Sequence, residues 1–415
     1  MVVTKKNISF YLISIIVYCL FCAVYEIVSL YFGYWGFLNK LNSTNIFLSF
    51  IFLSLLNLFF QKPKNDLVEV FKTYWFYFVM IPILVLFSYQ TVSFLLVFIH
   101  LLFFSSICIL FSLKRSISIK PVFLKRLALK YSVNQFSFIT LILISPFLLL
   151  GPGFNFDAFD ISKIYEVRLE SREINIPFIG YLKEVVARVF LPILLVFGFL
   201  KRKIIYILIA LTGIIFLYAS TGALKSILAA IPVVFLFLNC KDYFTIKYRL
   251  LILVIVILTL PLIEYYFIGT YFLTDLPSRR LFFIPGLLEE AYLSEYISDP
   301  QFYLNGFMKS FNESSYSMTK HIGGKYFGRP QMNANVGLVI DGFINLSFVG
   351  VLLHALIIYF CVAFINGLKI KPQYFGIFFV YFYYFNTSFI GTLFLTHGFL
   401  ALIYTFYIFS DNEES

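Results

Sequence analysis

The chain has 415 residues, of which 61% are hydrophobic, 21% aromatic and only 13% charged. Its mean hydropathy of +0.90 lies far above that of soluble domains, which excludes a soluble globular protein and a disordered one. The formal net charge is +11, from 32 Lys and Arg against 21 Asp and Glu. In an apolar chain this excess indicates membrane orientation and contact with anionic lipid, and not nucleic-acid binding.

Apolar runs of about 20 residues, long enough to cross a bilayer as a helix, recur between short polar breaks. Because lipid cannot hydrogen-bond backbone amides and the period-two alternation of a barrel is absent, these runs are expected to be helical. The sequence predicts an all-α polytopic membrane protein, a single integral membrane domain over residues 1–415. The twelve predicted spans are residues 8–33, 45–60, 73–89, 92–113, 131–151, 181–200, 204–219, 225–239, 250–269, 336–365, 374–389 and 392–410.

Lysines and arginines concentrate in one set of the loops between these spans. Positive residues remain on the cytoplasmic side of a membrane, so these loops and both termini are predicted to be cytoplasmic. The first span follows Lys5 and Lys6, is too long for the apolar part of a signal peptide, and lacks a small-residue cleavage site. It is expected to remain as an anchor.

Neither a metal site, a disulfide framework nor a nucleotide cofactor is predicted. The cysteines all fall within or at the ends of apolar spans, and the outer loops contain none. The cytoplasmic loops are short and carry no P-loop or Rossmann glycine pattern. The five cysteines are Cys19, Cys22, Cys108, Cys240 and Cys361.

Two outer loops are long, residues 152–180 and about 270–335, and long loops in compact proteins are usually functional. Helical spacing of apolar residues predicts short helices lying in the membrane interface, with simple capping of the helix bundle as the alternative. The first, after Pro285, has an apolar face of Leu287, Leu288, Ala291 and Tyr292, with Glu289, Glu290 and Glu295 on another face. The others are marked by Leu304, Phe307, Met308 and Phe311, and by Ile161, Ile164 and Tyr165 behind a possible N-cap, Asp160.

Ionisable residues inside membrane spans are costly and are therefore functional candidates. On the predicted topology they lie in the outer halves of their helices, which suggests a polar cavity open to the outside. The alternatives are structural ion pairs for the glutamates and hydrogen-bonded core positions for the histidines, including His100 and His354. The candidates are Glu26, Glu184, Arg188, Lys225, Glu264, Asp341 and His397.

The cations at this face suit an anionic substrate. Arg188 lies two turns into an apolar helix, and Lys225 begins a helix, where amide dipoles also favour an anion. The pair Arg279 and Arg280 can grip phosphate oxygens bidentately. The alternative is that these side chains reach the lipid headgroups.

A glycine-containing segment, HIGGKYFGRP, carries His321, Lys325 and Arg329 and is predicted to form a flexible strap over the cavity. Lys325 and Arg329 are candidate substrate-binding cations. Asn333 and Asn335 follow; they could hydrogen-bond sugar hydroxyls or cap the next helix.

Three segments together carry a family resemblance: RRLFFIPGLLEEAYLSEYISDPQFY, MNANVGLVIDGFINLSFVG and, earlier, STGALKS. With about twelve spans and two long outer loops, of which the later is larger, the chain resembles the Wzy-type repeat-unit polymerases of O-antigen and capsular polysaccharide. The resemblance extends over essentially the whole chain.

The resemblance implies a metal-independent glycosyltransferase without a cofactor, on the outer face of a bacterial inner membrane. Such enzymes move a growing glycan from its polyprenyl-pyrophosphate carrier onto a new lipid-linked repeat unit. A chain-length regulator and a flippase are the implied protein partners. The leaving pyrophosphate needs cations, for which Arg188, Lys225, Arg279 and Arg280 are the candidates. Arg279 and Arg280 match the family by their position before the PG segment.

A base should also remove a proton from the acceptor hydroxyl or orient it. Glu289, Glu290, His321 and Asp341 can each be argued for this role, and the sequence does not select among them.

Two other functions stay open. An O-antigen ligase uses the same donor, transfers to lipid A core and has an important histidine in its large outer loop, a role open to His321. A lipid-linked oligosaccharide flippase is disfavoured by the long outer loops and by the absence of repeated halves. A membrane acyltransferase would need a histidine motif within the spans, and none is convincing.

Overall fold

The computed structural model describes residues 5–60, 64–113, 133–150, 153–160, 162–173, 179–304 and 316–410. These residues contain no β-strand, and the all-α prediction is confirmed for them. The α-helices are α1 (Lys5–Phe32), α2 (Ser43–Asn57), α3 (Leu67–Trp75), α4 (Ile81–Ser88), α5 (Phe94–Leu113), α6 (Val133–Leu150), α7 (Ile164–Glu173), α8 (Ile179–Val185), α9 (Leu191–Leu200), α10 (Ile204–Ser220), α11 (Lys225–Leu238), α12 (Tyr243–Ile263), α13 (Ile284–Tyr296), α14 (Met318–Phe327), α15 (Leu338–Gly367), α16 (Phe375–Phe385) and α17 (Phe399–Ser410).

Within the described ranges, six helical stretches are long and apolar enough to cross a membrane, which indicates a bilayer environment. They are Phe10–Trp35, Ser43–Phe60, Leu67–Ser88, Phe94–Ser112, Tyr243–Ile268 and Leu338–Gly367. Shorter apolar helices cover Asn134–Leu149, Ile204–Ser220, Ser226–Leu238 and Phe399–Ile408. The total of twelve spans and the side that each loop faces stay predictions.

In the part of the chain that the structure describes, five π-helical segments interrupt or extend the α-helices. They are Phe76–Met80, Val186–Phe190, Glu264–Ile268, Thr274–Phe283 and Thr392–Thr396. A π-helical turn carries an extra residue and occurs often at functional sites. Four of the candidate residues, Arg188, Glu264, Arg279 and Arg280, lie in such segments.

The sequence predicted a single membrane domain, and the structure divides into two compact units. The first unit comprises Met1–Ile117, Tyr243–Ala363 and Tyr384–Ile390. The second comprises Ser118–Asp242, Phe364–Tyr383 and Gly391–Ser415.

The stretch Leu67–Ser88 lies at the centre of the first unit. All residues in its most apolar 18-residue segment are buried. Asp66 begins it by accepting a hydrogen bond from the Glu69 amide, 3.0 Å away, as an N-cap does. A helix that is apolar on all sides belongs inside a bundle. This helix therefore forms the core around which α1, α2, α5 and α12 pack.

The helix α13 is present where the sequence predicted it, but its surroundings differ from the prediction. Its glutamate face was expected to lie toward water, whereas Glu289 is 1% exposed, and Tyr292 on the apolar face is fully buried. A β-carbon at Gly286 would come within 2.6 Å of the Leu86 side chain, so α13 packs tightly against α4. The helix is a core element of the first unit.

The two other predicted interfacial helices have different outcomes. In the smaller loop α7 begins at Ile164, and the backbone carbonyl of Asp160 accepts a hydrogen bond from the Ile164 amide, 3.1 Å away. In the larger loop, Phe307, Met308 and Phe311 lie outside the described residues.

The helix α15 is not a straight rod. Leu346 and Ser347 have non-helical backbone angles, with φ of +53° at Ser347. His354 Nδ1 lies 2.6 Å from the Leu338 carbonyl oxygen, whereas residues sixteen apart in a straight helix are separated by about 24 Å. Residues 338–345 therefore fold back on the rest of α15, which the uniform hydropathy of the segment did not indicate.

In the second unit the core forms where α10 packs on α9 and where the loop 153–160 and α7 pack on the end of α10. Leu217 and Ala219 of α10 are buried with Ile164 and Val167 of α7. The described residues of the first long loop, 153–160 and 162–173, are therefore an integral part of this unit.

Candidate functional site

The first unit brings Arg279 into contact with two aromatic rings. Its guanidinium carbon lies 4.2 Å from the Phe32 ring centroid and 5.2 Å from that of Trp35. Its Nε donates to Asp275 Oδ1 at 2.8 Å, and its side chain is 5% exposed. The sequence predicted a substrate-binding arginine at this position. The structure shows a buried, ion-paired arginine that retains one buried nitrogen, Nη1, with no hydrogen-bond partner among the described residues.

Arg279 is held by the packing of its own segment. The π-helical stretch that carries it ends in Phe282 and Phe283, both buried. Phe282 meets Phe21 of α1 at 4.8 Å between ring centroids. Its neighbour Arg280 is exposed. Arg279 is therefore anchored, and Arg280 is available to a ligand.

Arg329 contacts the same indole from a different segment. Its guanidinium carbon lies 4.4 Å from the Trp35 centroid, and the residue is exposed. The helix α14 ends in an αL C-cap: Gly328, with φ of +62°, donates to the Gly324 carbonyl oxygen at 3.1 Å, and the Arg329 amide donates to the Gly323 carbonyl oxygen at 2.8 Å. This turn directs Arg329 toward Trp35.

Trp35 thus brings together two of the predicted cations, and the sequence analysis did not identify it. Cation–π contact with Trp is the most favourable of its kind. One signal was available, because Trp35 is one of only two tryptophans in the chain and closely follows the first apolar span. The four-residue spacing of Asp275 and Arg279 also indicated an ion pair on a helix.

A second cluster joins α13 to α14. Glu295 Oε1 lies 2.8 Å from His321 Nε2, and Glu295 Oε2 accepts from Lys325 Nζ at 2.6 Å and from the Tyr326 hydroxyl at 3.0 Å. The donors, first Lys325 and then His321, lower the pKa of Glu295 to about 2. His321 keeps 34% of its side chain exposed. Of the four candidate bases, His321 is the one that pairs with a carboxylate while about a third of its side chain stays exposed.

Glu289 and Glu290 occupy structural positions. Glu289 Oε2 lies 2.9 Å from His100 Nε2, and both side chains are almost fully buried. Glu290 Oε2 accepts from the Ser93 amide at 2.9 Å and from its hydroxyl at 3.0 Å, at the start of α5. Burial raises the pKa of Glu290. This geometry favours a role for both in joining α13 to α5, rather than in proton transfer from a substrate.

Asp341 is also buried and fully engaged. Its Oδ1 accepts from Asn345 Nδ2 at 2.9 Å and its Oδ2 from the Ile390 amide at 2.8 Å. These bonds hold the folded-back part of α15. The two asparagines before α15, Asn333 and Asn335, are exposed and remain candidates for hydroxyl recognition.

The acids predicted inside the spans bind protein groups in the structure. Glu264 accepts from the amides of Phe272 and Leu273, at 2.8 and 2.6 Å, and so closes the turn after its helix. Glu26 accepts from the Tyr89 hydroxyl at 3.0 Å. Neither contact involves the buried arginine or lysine that the structural alternative envisaged.

The second unit contains a buried group around Arg188. Its Nε lies 2.6 Å from Glu184 Oε2 and its Nη1 2.8 Å from His397 Nδ1. Because a guanidinium can only donate, His397 Nδ1 must be the acceptor, and the ring proton lies on Nε2. Arg188 is 8% exposed. It is a paired core residue here, while Lys225 begins α11 with a side chain outside the described part of the structure.

The described residues contain no group of three or more His, Cys, Asp and Glu that could hold a metal ion. None of the five cysteines, all of which lie in the described part of the chain, forms a disulfide bond.

No family model, curated protein or solved structure matches this chain.

Proposed function

We propose that the chain is an oligosaccharide repeat-unit polymerase of the Wzy type. It would transfer a growing glycan from polyprenyl pyrophosphate to a lipid-linked repeat unit on the outer face of a bacterial inner membrane. The observation that carries the proposal is that the guanidinium groups of Arg279 and Arg329 both contact the Trp35 ring. Arg280, which follows Arg279 in the sequence, is exposed. A cationic site bordered by apolar helices suits the pyrophosphate of a lipid-linked donor.

In this proposal the three arginines have different roles. Arg280 and Arg329 are exposed and would bind the pyrophosphate oxygens, which gain negative charge as the sugar departs. Arg279 is a positioning residue, because its ion pair with Asp275 and its contact with Trp35 hold the ring against which Arg329 lies.

His321 would serve as the general base. An ionised Glu295 accepts only, so the Nε2 of His321 carries the proton of their hydrogen bond and Nδ1 is left with a lone pair. The acceptor hydroxyl loses its proton to Nδ1 while its oxygen attacks the anomeric carbon of the donor. The bond from that carbon to the pyrophosphate oxygen breaks, and its electron pair leaves with the polyprenyl pyrophosphate. Glu295 would stabilise the imidazolium until its proton passes to water.

The two halves of this site are close along the chain. His321 and Arg329 are separated by about two turns of α14, or roughly 10 Å along the axis. One donor with its acceptor can span that distance.

The accessible His321–Glu295 pair also favours the second candidate function, an O-antigen ligase. A ligase would use the same donor and base, with lipid A core as the acceptor.

Both functions are tested by the surface glycan of a deletion strain, resolved by gel electrophoresis and mass spectrometry. A single repeat unit on the normal acceptor would support the polymerase, whereas polymer retained on the lipid carrier would identify a ligase. Repeat units trapped on the cytoplasmic face would mean a flippase and overturn the proposal.

Complementation with variants then tests the site. Arg329→Ala should leave mostly single repeat units at normal protein level, while Lys320→Ala, which removes another exposed cation of α14, should restore full-length polymer.

A further inference from the structure

The second unit contains a cavity of about 470 Å³ that the proposed chemistry does not use. It lies between the first long outer loop, α7 and the end of α10. Its volume falls within the range of roughly 300–1,000 Å³ that small-molecule sites occupy. The lining residues that matter here are Phe154, Phe156, Asp157, Glu170, Ser220 and Gly222.

The walls of this cavity are fixed by core packing. The Tyr218 hydroxyl of α10 donates to the Ala158 carbonyl oxygen at 2.8 Å, and both residues are buried. On the opposite wall, Ile164 and Val167 anchor α7 in the core. The cavity is therefore part of the folded unit, and its shape does not depend on a ligand.

The lining combines exposed aromatic rings with acceptors. Phe154 and Phe156 are 40% and 80% exposed, and their ring centroids lie 4.9 Å apart in an edge-to-face arrangement. Glu170 is exposed on α7. Apolar ring faces contact the C–H face of a sugar, and carboxylates accept hydrogen bonds from its hydroxyls.

The wall formed by α10 contains a buried hydroxyl that has no hydrogen-bond partner among the described residues. Ser220 is 2% exposed, and its Oγ has no hydrogen-bond partner in the part of the chain that the structure describes. A buried hydroxyl without a partner is costly, so a ligand that supplies one would be favoured.

Charge selects the kind of ligand. Among the described residues, the charged side chains that line the cavity are Asp157 and Glu170, and Lys163 is paired with Asp157 at 2.8 Å. An anionic pyrophosphate would be repelled here. A neutral or amino sugar would be accepted.

We propose that this cavity is a saccharide-binding site for a neutral or amino-bearing sugar, held on Phe154 and Phe156 and hydrogen-bonded by Glu170 and Ser220. That this sugar belongs to the lipid-linked glycan rests on the proposed function, whereas sugar binding itself does not. In that case the site would bind sugar residues of the glycan and not its pyrophosphate.

Saturation-transfer NMR on the full chain in nanodiscs tests the site. The probes are methyl glycosides of glucose, galactose, mannose, N-acetylglucosamine and N-acetylgalactosamine, and oligosaccharides from partial hydrolysis of the producing strain's own surface glycan. At least one probe should show saturation of its ring protons, reduced at least about five-fold by Phe156→Ala and by Glu170→Gln. A five-fold loss corresponds to about 1 kcal/mol.

Matched controls separate recognition from general effects. Phe138→Ala removes an aromatic side chain of α6 that is 63% exposed, and Glu166→Gln neutralises another exposed acid of α7. Both should bind like the unchanged protein. No saturation with any probe, or equal saturation in the cavity variants and the controls, would overturn the site and indicate that the rings only contact lipid.

The two proposals can fail separately. If the cavity variants lose sugar binding but the deletion strain still makes normal polymer, the saccharide site stands and the polymerase does not. If deletion stops polymerisation and the cavity binds no sugar, the polymerase stands and the saccharide site is rejected.

Discussion

The guanidinium group of Arg329 lies over the indole of Trp35, with 4.4 Å between the guanidinium carbon and the ring centroid. The two residues are almost three hundred positions apart, and the αL turn at Gly328 brings them together. Such a contact contributes about 0.5–1 kcal/mol at an exposed site. It orients a side chain whose guanidinium nitrogens have no hydrogen-bond partner among the described residues and can bind an anion.

Trp35→Ala should reduce polymer formation several-fold, because Arg329 loses the surface that orients it and Arg279 loses one of its two aromatic contacts. Trp35→Phe should retain intermediate activity, since Phe is a weaker cation–π partner. The glycan ladder of complemented deletion strains measures both. Tyr34→Ala is the matched control, because Tyr34 is adjacent to Trp35 and 74% exposed. An equal loss of polymer in that variant would contradict a specific role for Trp35.

Arg279 and Arg280 should respond differently to replacement by Ala. Arg280 is exposed, so Arg280→Ala should abolish polymer at unchanged protein level. Arg279→Ala breaks a mostly buried ion pair and should cost about 3 kcal/mol, which lowers the amount of folded protein as well. Immunoblots of membranes alongside glycan gels distinguish the two outcomes. Lys at either position should rescue only partly, because an ammonium cannot reproduce a bidentate fork.

Normal polymer length in both alanine variants would exclude the pair from the site. Equal protein levels in both would show that the Asp275–Arg279 contact adds little to stability.

The hydrogen bonds of Glu295 should stabilise the protein from neutral pH down to mildly acidic pH. Its folded-state pKa of about 2 lies below the ordinary value of 4.5, so the contribution is fully present above about pH 4.5 and is lost as the pH falls toward 2. Glu295→Gln should cost about 2 kcal/mol at pH 7, on the scale of hydrogen bonds to charged groups. Thermal unfolding of purified protein in detergent measures the difference.

The difference in stability between Glu295→Gln and the unchanged protein should be the same at pH 7 and pH 6 and should shrink at pH 3. A difference that vanished already at pH 6 would contradict a strongly lowered pKa. Glu166→Gln, at an exposed acid of α7, should unfold like the unchanged protein at every pH.

Gly350→Ala should strongly reduce the amount of folded protein. A β-carbon at this position would collide with the Gly342 carbonyl oxygen, where the folded-back part of α15 crosses the rest of the helix. The matched control is Gly367→Ala at the end of the same helix, where a β-carbon has no neighbour within 4 Å among the described residues. Detergent-solubilised yield and fluorescence-detected size exclusion compare them. Equal yields would mean that α15 is straight in the membrane.

The sequence by itself determined the all-α class, the membrane environment and the positions of most helices. These properties follow from local composition, because a run of apolar residues must be helical in lipid wherever its partners lie. The cations of the candidate site were also identifiable from type and position, among them Arg279, Arg280 and Arg329.

Only the tertiary structure decided which of these residues are free and which are paired. Glu289 and His100 are 189 positions apart yet share a buried hydrogen bond, and no local pattern encodes such a contact. The break at Leu346 and Ser347 was equally hidden, because both halves of α15 are apolar and helical. Hydropathy indicates whether a segment is more stable in an apolar environment or in water. The partner of each polar group depends instead on which helices pack together.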